Sequence, residues 1–547
     1  MKNKLTFFIA IFALVSLGFI TLKKSEQNPK KPNILWITNE DMSPNHLGCY
    51  GGKVAKTPNI DQLAKEGVLF TNAFSTAGVC APSRNTLITG MYQTSIGGHN
   101  MRNFLPGSFN NPNFRSGAPF PSYSVLTPEE LRAFPEFLRK AGYYCTNNYK
   151  QDYQFEAPVT VWDENSATAD WRGRRDKNQP FFSVINLEDT HEGQLFARDN
   201  MPLTVKPEDV ELLPFYKDTP TMRKDVARHL SNIEDMDGKL GKIIQKLKDD
   251  GLYDNTIIFY YSDHGDCLPY VKRELYDRGL KVPLIIRYPN AKNGGTKTDE
   301  LVSFVDFAPT LLSLANIPIP KYMQGQAFLG SQKAKISRKY IFAARDRMDA
   351  KVDRVRAVSD GQFKYLKNYM PELPYYQDLN YRKQIKSMAE LLKLRDEGQL
   401  SGLQMHWFRP NKPVEELFDV KNDPYEVNNI ANDPKYASKL KELREQHEAW
   451  TKKYGDLGEL SEKDIRAKWW NGKEEAPKTE KPAVNIVGNK ATLTCTTAGA
   501  SIGYKKHSSD KSWSVYSTPI TISKGDSLII LAQRIGFDKS EVVKFKN

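Results

Sequence analysis

The sequence predicts an α/β protein in which helices cover both faces of one large sheet, followed by a smaller α+β subdomain and an appended β-sandwich. Three observations carry this reading. Five short apolar runs read as buried strands: NILWIT (33–38), YYCTN (143–147), PFFSVINLE (180–188), TIIFYYSD (256–263) and VPLIIRYP (282–289). Helical patterns separate several of them, and alternation of this kind builds a sheet sandwiched between helices. The texture then changes twice, near Ser337 and again after a linker rich in Pro, Lys and Glu.

Taken in chain order, Lys2 and Lys4 precede the apolar run LTFFIAIFALVSLGFITL, which gives way abruptly to LKKSEQNPKKPN. That layout predicts a signal peptide over residues 1–26, or an N-terminal anchor if it stays uncleaved. Either way the rest of the chain is expected outside the cytoplasm, periplasmic or secreted. TPNIDQLAKEG offers a helix started by Asp61 and stopped by Gly67. A second helix carries Val226, Leu230, Ile233, Met236, Leu240, Ile243, Ile244 and Leu247 on one stripe and closes at Gly251. These elements fill a catalytic α/β domain over 31–335. Residues 336–468 hold the strand candidates YIFAAR and QFKYLKNY, separated by the polar stretch RDRMDAKVDRVRAV, and the helix YASKLKELREQHEAWTKKY. A linker over 469–482 leads to short alternating strands in 483–547, a sandwich pattern.

At 547 residues the chain has ample core to bury, and no apolar run after the first is long enough to span a bilayer. Many lysines behind the formal charge of +13 sit in the N-terminal segment and in KDIRAKWWNGKEEAPKTEKP, so a solvated surface is expected and no nucleic-acid partner. Five cysteines, at 49, 80, 145, 267 and 495, form neither a CxxC zinc pattern nor an even disulfide framework. Cys80, in GVCAPSRNTLITG, stands out because it is placed with Pro82 and Arg84 just ahead of the apolar, helix-like run NTLITG.

Four strand candidates end in polar clusters: NED, NNYKQD, EDTHE and SDHGD. Ligands of open α/β sheets bind at the carboxyl ends of strands, so the four clusters are expected to share one crevice. Here CAPSRNTLITG resembles the Cys-x-Pro-Ser-Arg signature of type I sulfatases, members of the alkaline-phosphatase-like superfamily. PNILWITNED with LGCYG, TPNIDQLAKEGVLFTNAF, SDHG, GLKVPLIIRYP and DPYEVNNIANDP extend the likeness over residues 32 to about 450. It is strongest to the branch of heparan N-sulfatase and bacterial polysaccharide sulfatases. The fold this implies is a large mixed sheet with helices on both faces.

The resemblance implies that Cys80 is oxidised by a formylglycine-generating maturation enzyme to 3-oxoalanine (formylglycine). One hydroxyl of the hydrated aldehyde attacks sulfur, and loss of the other's proton lets sulfate leave. A sulfate ester is an anion, so a cation must gather its oxygens. By the same resemblance Glu40, Asp41, Asp263 and His264, with residue 80, hold one divalent cation, Ca²⁺ in most members, and hard carboxylate oxygens suit it. Arg84 steadies the residue-80 oxygen; Lys150, His191 and Lys272 bind sulfate oxygens or protonate the leaving group. Asp152 stands where many members have histidine and is the nearest replacement for the base. His99, Arg102, Arg345 and Arg347 are further candidates for an anionic sugar, competing with structural salt bridges.

The terminal module resembles the chitobiase-type C-terminal β-sandwich. Tyr504, Trp513 and Tyr516 are its candidates for stacking on sugar rings, against a role as core aromatics. Every catalytic candidate precedes the linker, so removal of the module is expected to spare hydrolysis of small substrates. The expected function is a secreted sulfatase acting on sulfated polysaccharide, heparan-like or algal such as ulvan or carrageenan. The competing readings are a phosphodiester or phosphonate monoester hydrolase of the same superfamily and a non-catalytic glycan-binding homologue.

Overall fold

Strand β1 (Asn33–Asn39) lies in the interior of the main sheet, between the strands Phe181–Leu187 and Thr256–Ser262, and every one of its residues is buried. The structure, a computed structural model, describes residues 31–104, 122–125, 128–473 and 475–547; the expected signal segment lies outside them. The remaining strands of the main sheet are β2 (Val68–Phe74), β3 (Tyr144–Asn148), β4 (Glu164–Asn165), β5 (Phe181–Leu187), β6 (Thr256–Ser262), β7 (Lys281–Arg287), β8 (Thr296–Thr298) and β9 (Val302–Ser303). Their order is β4-β3-β5-β1-β6-β7-β2-β8, with β9 also on β2. β1, β3, β5 and β6 run parallel, whereas β7 is antiparallel to both β6 and β2, so the sheet is mixed. All five strands read from the sequence are present.

Alternation along β1 sends Leu35 and Ile37 to one face and Ile34 and Trp36 to the other, and each set joins a different core. On the first face lies the long helix Pro220–Asp249, whose Val226, Leu230, Ile233 and Met236 pack into the same core. Its Thr219 cap accepts a hydrogen bond from the Met222 N–H at 3.1 Å. The second face is covered by helix Phe307–Leu314 through Phe307, Leu311 and Leu312. Residues buried on both faces explain why these strands read as continuous apolar runs. The helix near residue 60 differs from expectation. It starts at Pro58 behind Thr57, and Asp61 instead accepts the Cys49 N–H at 2.7 Å.

Beyond residue 336 four antiparallel strands form a second sheet: Ile341–Arg345, Val355–Ser359, Phe363–Asn368 and Glu415–Asp419. Val355–Ser359 lies in the stretch read as merely polar. Its charge is internalised, because Arg356 is fully buried and bonds Asp456 at 2.8 and 2.7 Å and Asp346 at 2.9 Å. The terminal module has a three-stranded and a four-stranded antiparallel sheet around one core that includes Ala491, Leu493, Ile502, Leu528 and Ile530. Tyr504 and Tyr516 pack against that core, and the Trp513 carbonyl accepts from Arg139 at 2.5 Å. Residues 32–547 make one compact unit. Among the described residues no helix is long and apolar enough to cross a membrane.

Candidate active site

The registers bring the strand ends together. Asn39 at the end of β1 stands beside Leu187 of β5 and Ser262 of β6, so Glu40 and Asp41 emerge next to Asp263 and His264. Asp41 adopts a left-handed backbone (φ 48°), as do Arg102 (φ 50°) and Asp152 (φ 51°). Such conformations cost about 1–3 kcal/mol for residues other than glycine and persist only where the surroundings impose them. At Asp41 the turn lets the N–H donate to Asp263 Oδ1 at 3.2 Å while the carboxylate faces the cluster.

Cys80 reaches the cluster on helix Cys80–Thr89, which follows β2 and is buried along its whole length. Residues four apart share a helix face, so Arg84 sits directly behind Cys80. Its guanidinium donates to Asp263 Oδ2 at 3.0 Å, Glu40 Oε1 at 3.0 Å and Asn186 Oδ1 at 2.7 Å. Ser83 ties the same helix to the Asp263 carbonyl at 2.7 Å. Cys80 itself is buried against Val79, Ala81, Met101, Met348 and Leu379, with Arg102 Nη2 at 4.0 Å from its sulfur.

Cations line the remainder. Lys150, just past β3, lies 2.5 Å from Glu40 Oε1 and 3.8 Å from Asp152 Oδ2, and Arg102 is 3.4 Å from Asp152. Lys272 bonds Asp41 Oδ2, which also accepts the Glu192 N–H at 2.7 Å. The Arg102 side chain is 38% exposed, against 13% for Lys150 and 20% for His191, so these three form the mouth above a closed floor. Burial works to raise the Asp152 pKa, but Arg102 and then Lys150 override it and hold the carboxylate below its usual range. Burial also opposes charge on His264, yet Asp263 and Asp41 outweigh it and push the imidazole up to about 10. Asp41 lies well below its ordinary value, with burial outweighed by Lys272 and His264. For His191 burial and Lys272 act together and lower the pKa, favouring the neutral ring. Its Nδ1 accepts the Gly193 N–H at 3.2 Å, which leaves the proton on Nε2.

Does this donor set fit a divalent cation? Ligand atoms of Asp41, Asp263 and His264 lie within 4.8 Å of one another. Asp41 Oδ1 and His264 Nε2 approach to 3.0 Å, yet neither makes a hydrogen bond, and buried Glu40 Oε2 has none either. The buried carboxylate oxygens Asp41 Oδ1 and Glu40 Oε2 are what a cation would satisfy, and on binding it would take the place of the proton that Asp263 and Asp41 hold on His264. The residues fit. Glu40 stands outside the 4.8 Å group, because Lys150 and Arg84 hold its other oxygen, and only Oε2 remains for a metal.

Of the candidates from sequence, Glu40, Asp41, Cys80, Arg84, Arg102, Lys150, Asp152, His191, Asp263, His264 and Lys272 converge here. Three others do not. Arg345 is buried on Glu274 at 2.8 Å, and Arg347 forms a two-pronged pair with Glu462 at 2.5 and 2.8 Å. His99 is buried near Asp346 and Arg356. Arg345 and Arg347 are thus held in internal ion pairs, buried His99 has its Nδ1 without a hydrogen bond, and none of the three joins the cluster around Cys80. Sequence reading missed Asn186, Thr190, whose hydroxyl bonds the Glu40 carbonyl, and the Glu192–Arg273 pair, 2.7 Å apart, that borders Lys272. Period-two spacing from Glu188 in INLEDTHE was the available signal for Asn186.

A family model described as Sulfatase matches residues 32–317, and one described as N-sulphoglucosamine sulphohydrolase, C-terminal, matches 265–404. The chain is 44% identical to an ulvan-active sulfatase of Formosa agariphila over 555 aligned residues, 94% of this chain and 91% of that one. Among solved structures, a protein captured with its substrate D-glucosamine-2-N,6-O-disulfate superposes with a TM-score of 0.56 at 20% identity, covering 78% of this chain and 98% of its own. A phosphonate monoester hydrolase of Agrobacterium radiobacter has a TM-score of 0.55 at 18% identity, covering 78% and 96%. The fold is thus shared with a different hydrolase, and it is the sequence match that separates them. Together with the convergence of Cys80, Arg84 and the carboxylates at the strand ends, that match makes the chain a member of the sulfatase family and a sulfuric ester hydrolase.

Proposed function

We propose that this sulfatase is exported through residues 1–26 and removes sulfate esters from ulvan or its oligosaccharides, after a formylglycine-generating enzyme has oxidised Cys80. The observation that carries the substrate class is the 44% identity to an ulvan-active sulfatase along nearly the whole of both chains. A second reading, N-sulfated glucosamine, is favoured by the family match over 265–404. Hydrated formylglycine would supply the nucleophilic hydroxyl and a second hydroxyl whose deprotonation releases sulfate. A cation, for which we propose Ca²⁺, would be held by Asp41, Asp263 and His264, with Glu40 Oε2 beside them, and would polarise sulfate oxygens.

The chain's own groups divide the remaining work. Arg84 fixes Glu40 and Asp263 while staying one helical turn from residue 80. Lys150, Lys272 and Arg102 present positive charge where the sulfate group enters. Neutral His191, with its proton on Nε2 and its other nitrogen occupied, is a donor to the departing sugar oxygen and not a base. That leaves Asp152 for proton removal. Its basicity is suppressed by Arg102 and Lys150, and an arriving sulfate that draws these cations away restores it.

Sulfate release from ulvan oligosaccharides, measured beside N-sulfated glucosamine oligosaccharides, tests the substrate. Release only from the latter would select the second reading, and release from neither would remove both. Mass spectrometry of the residue-80 peptide from active enzyme should show the aldehyde. Asp152→Asn is expected to give one burst of desulfated glycan followed by turnover slowed about 10²–10⁴-fold, the range for loss of a general base. A folded variant that turns over slowly from the start, with no burst, would take the base role away from Asp152.

A further inference from the structure

A second cluster of metal-ligating side chains lies just beyond the active-site carboxylates and plays no part in the chemistry above. His46 follows β1 by seven residues, Asp266 follows β6 by four, and His229 projects from the long helix Pro220–Asp249. His46 Nε2 is 2.7 Å from Asp266 Oδ2, and His229 Nε2 is 3.2 Å from Asp266 Oδ1. The three ligand atoms all lie within 4.8 Å of one another. His229 and Asp266 are buried and His46 nearly so, with 16% of its side chain exposed.

The surroundings hold two of the three ligands, His229 and Asp266, from their outer side. The free ring nitrogen of His229, Nδ1, is 3.2 Å from Cys267 Sγ, which leaves Nε2 facing inward. Asp266 Oδ1 accepts the Ser43 N–H at 2.7 Å, and the Asp266 N–H donates to Ser43 Oγ at 3.1 Å. Outer partners of this kind set ring orientation and ligand basicity in metal centres. Ligands about 2.0–2.1 Å from a tetrahedral ion stand about 3.3 Å apart, so the 2.7 Å from His46 Nε2 to Asp266 Oδ2 would open by about 0.6 Å and the 3.2 Å from His229 Nε2 to the other oxygen, Oδ1, by about 0.1 Å. A cavity of about 640 Å³, bordered by His46, Asp266, Tyr50 and Tyr216, meets the cluster and has room for a solvent ligand.

We propose that His46, His229 and Asp266 form a structural binding site for a borderline transition-metal ion such as Zn²⁺, separate from the active-site cation. Two imidazoles and one carboxylate select such an ion over calcium, which prefers six to eight oxygens. The site would tie the loops after β1 and β6 to the long helix, and those two loops also carry Glu40, Asp41, Asp263 and His264. Its role is therefore to stiffen the frame of the reacting groups.

The test uses the full purified chain, freed of metal and returned to calcium-containing buffer, with Zn²⁺ alone as the probe. Calorimetric titration should show one saturable equivalent of zinc accompanied by a rise in Tm. Asp41→Asn should keep that equivalent, because the active-site cation does not share its ligands. His46→Gln preserves a hydrogen bond to Asp266 but removes a ligand. It should weaken zinc binding beyond the roughly 10–100-fold lost with an outer partner, while far-ultraviolet circular dichroism stays native. With Co²⁺ in place of Zn²⁺, visible d–d bands should appear without a sulfur-to-cobalt band, since Cys267 touches Nδ1 and not the ligand atom. Absence of saturable binding, binding unchanged in His46→Gln, or binding lost in Asp41→Asn would overturn the site. A sulfur-to-cobalt band would overturn the assigned ligand set.

Discussion

Arg84 shows how much of this site rests on one side chain. Its guanidinium answers two buried carboxylates and Asn186, and burial disfavours its charge less than Asp263 and Glu40 favour it, so its pKa is raised. Arg84→Ala should cost about 3–5 kcal/mol in urea denaturation, since removing one partner leaves buried charge uncompensated. Sulfatase activity should fall below detection, and Arg84→Lys should recover part of the stability but little activity, because lysine cannot reach three acceptors. Far from the site, His447 is buried with its Nε2 on the Tyr369 hydroxyl at 2.7 Å, and burial followed by Arg356 lowers its pKa to about 4. His406 is lowered to about 4 as well, by burial and then Arg409. In the unfolded chain both titrate near 6.5. Between pH 6.5 and 4 the unfolded state therefore binds protons that the folded state refuses, and stability must fall as pH falls through that window. Denaturation midpoints across it should show the loss, and His447→Gln should flatten the slope.

At the scale of elements, the chemistry depends on a loop meeting a helix start. The Gly78 carbonyl accepts the Arg273 N–H at 2.7 Å, two residues before Cys80 and one after Lys272. A Cβ at position 78 would lie 2.5 Å from the Glu274 carbonyl oxygen, which is backbone and cannot step aside. Gly78→Ala should then push the Cys80 helix and the Lys272 loop apart, costing about 1–3 kcal/mol of stability. A displacement near 1 Å costs about 10²-fold in rate, so kcat is expected to drop by that order while circular dichroism stays native. The 341–345 strand presses on the same junction, since the Ala344 N–H donates to the Thr76 carbonyl at 2.9 Å and Arg345 grips Glu274. The subdomain thereby braces the active-site loop through backbone and buried charge.

For the whole molecule, the terminal sandwich is docked and not merely tethered. The Ser501 hydroxyl donates to the Glu136 carboxylate, its Oγ 2.9 and 2.7 Å from the two oxygens, Arg139 reaches the Trp513 carbonyl, and Gln533 Oε1 accepts the Val159 N–H at 3.1 Å. Glu136 is 1% exposed in the intact chain. Deleting residues 483–547 should therefore lower Tm by several degrees. Hydrolysis of small sulfated sugars at low temperature should be little changed, because no converging site residue comes from the module. Thermal melts and initial rates on the same preparation separate the two effects. Loss of both in a folded truncation would show that the module shapes the site.

Much of this protein was legible in its sequence. Runs such as NILWIT and TIIFYYSD announce strands because both of their faces are buried, and polar residues at strand ends mark the functional edge of a parallel arrangement. The pairing of Cys80 with Arg84 was implied by the resemblance of CAPSR to the sulfatase signature, and the helix Cys80–Thr89 realises it by placing the two one turn apart. Other features depend on contacts between residues far apart in the chain. Val355–Ser359 hides as a strand because Arg356 looks solvent-facing until Asp456, a hundred residues away, neutralises it. Arg345 and Arg347 look like sugar ligands for the same reason, since only tertiary structure supplies Glu274 and Glu462. His191 could serve as acid or base by composition, and a single backbone N–H from Gly193 decides which nitrogen holds the proton. Local pattern determines elements because burial periodicity is local. The fate of each charge was decided by the fold, because its partners arrive from other strands.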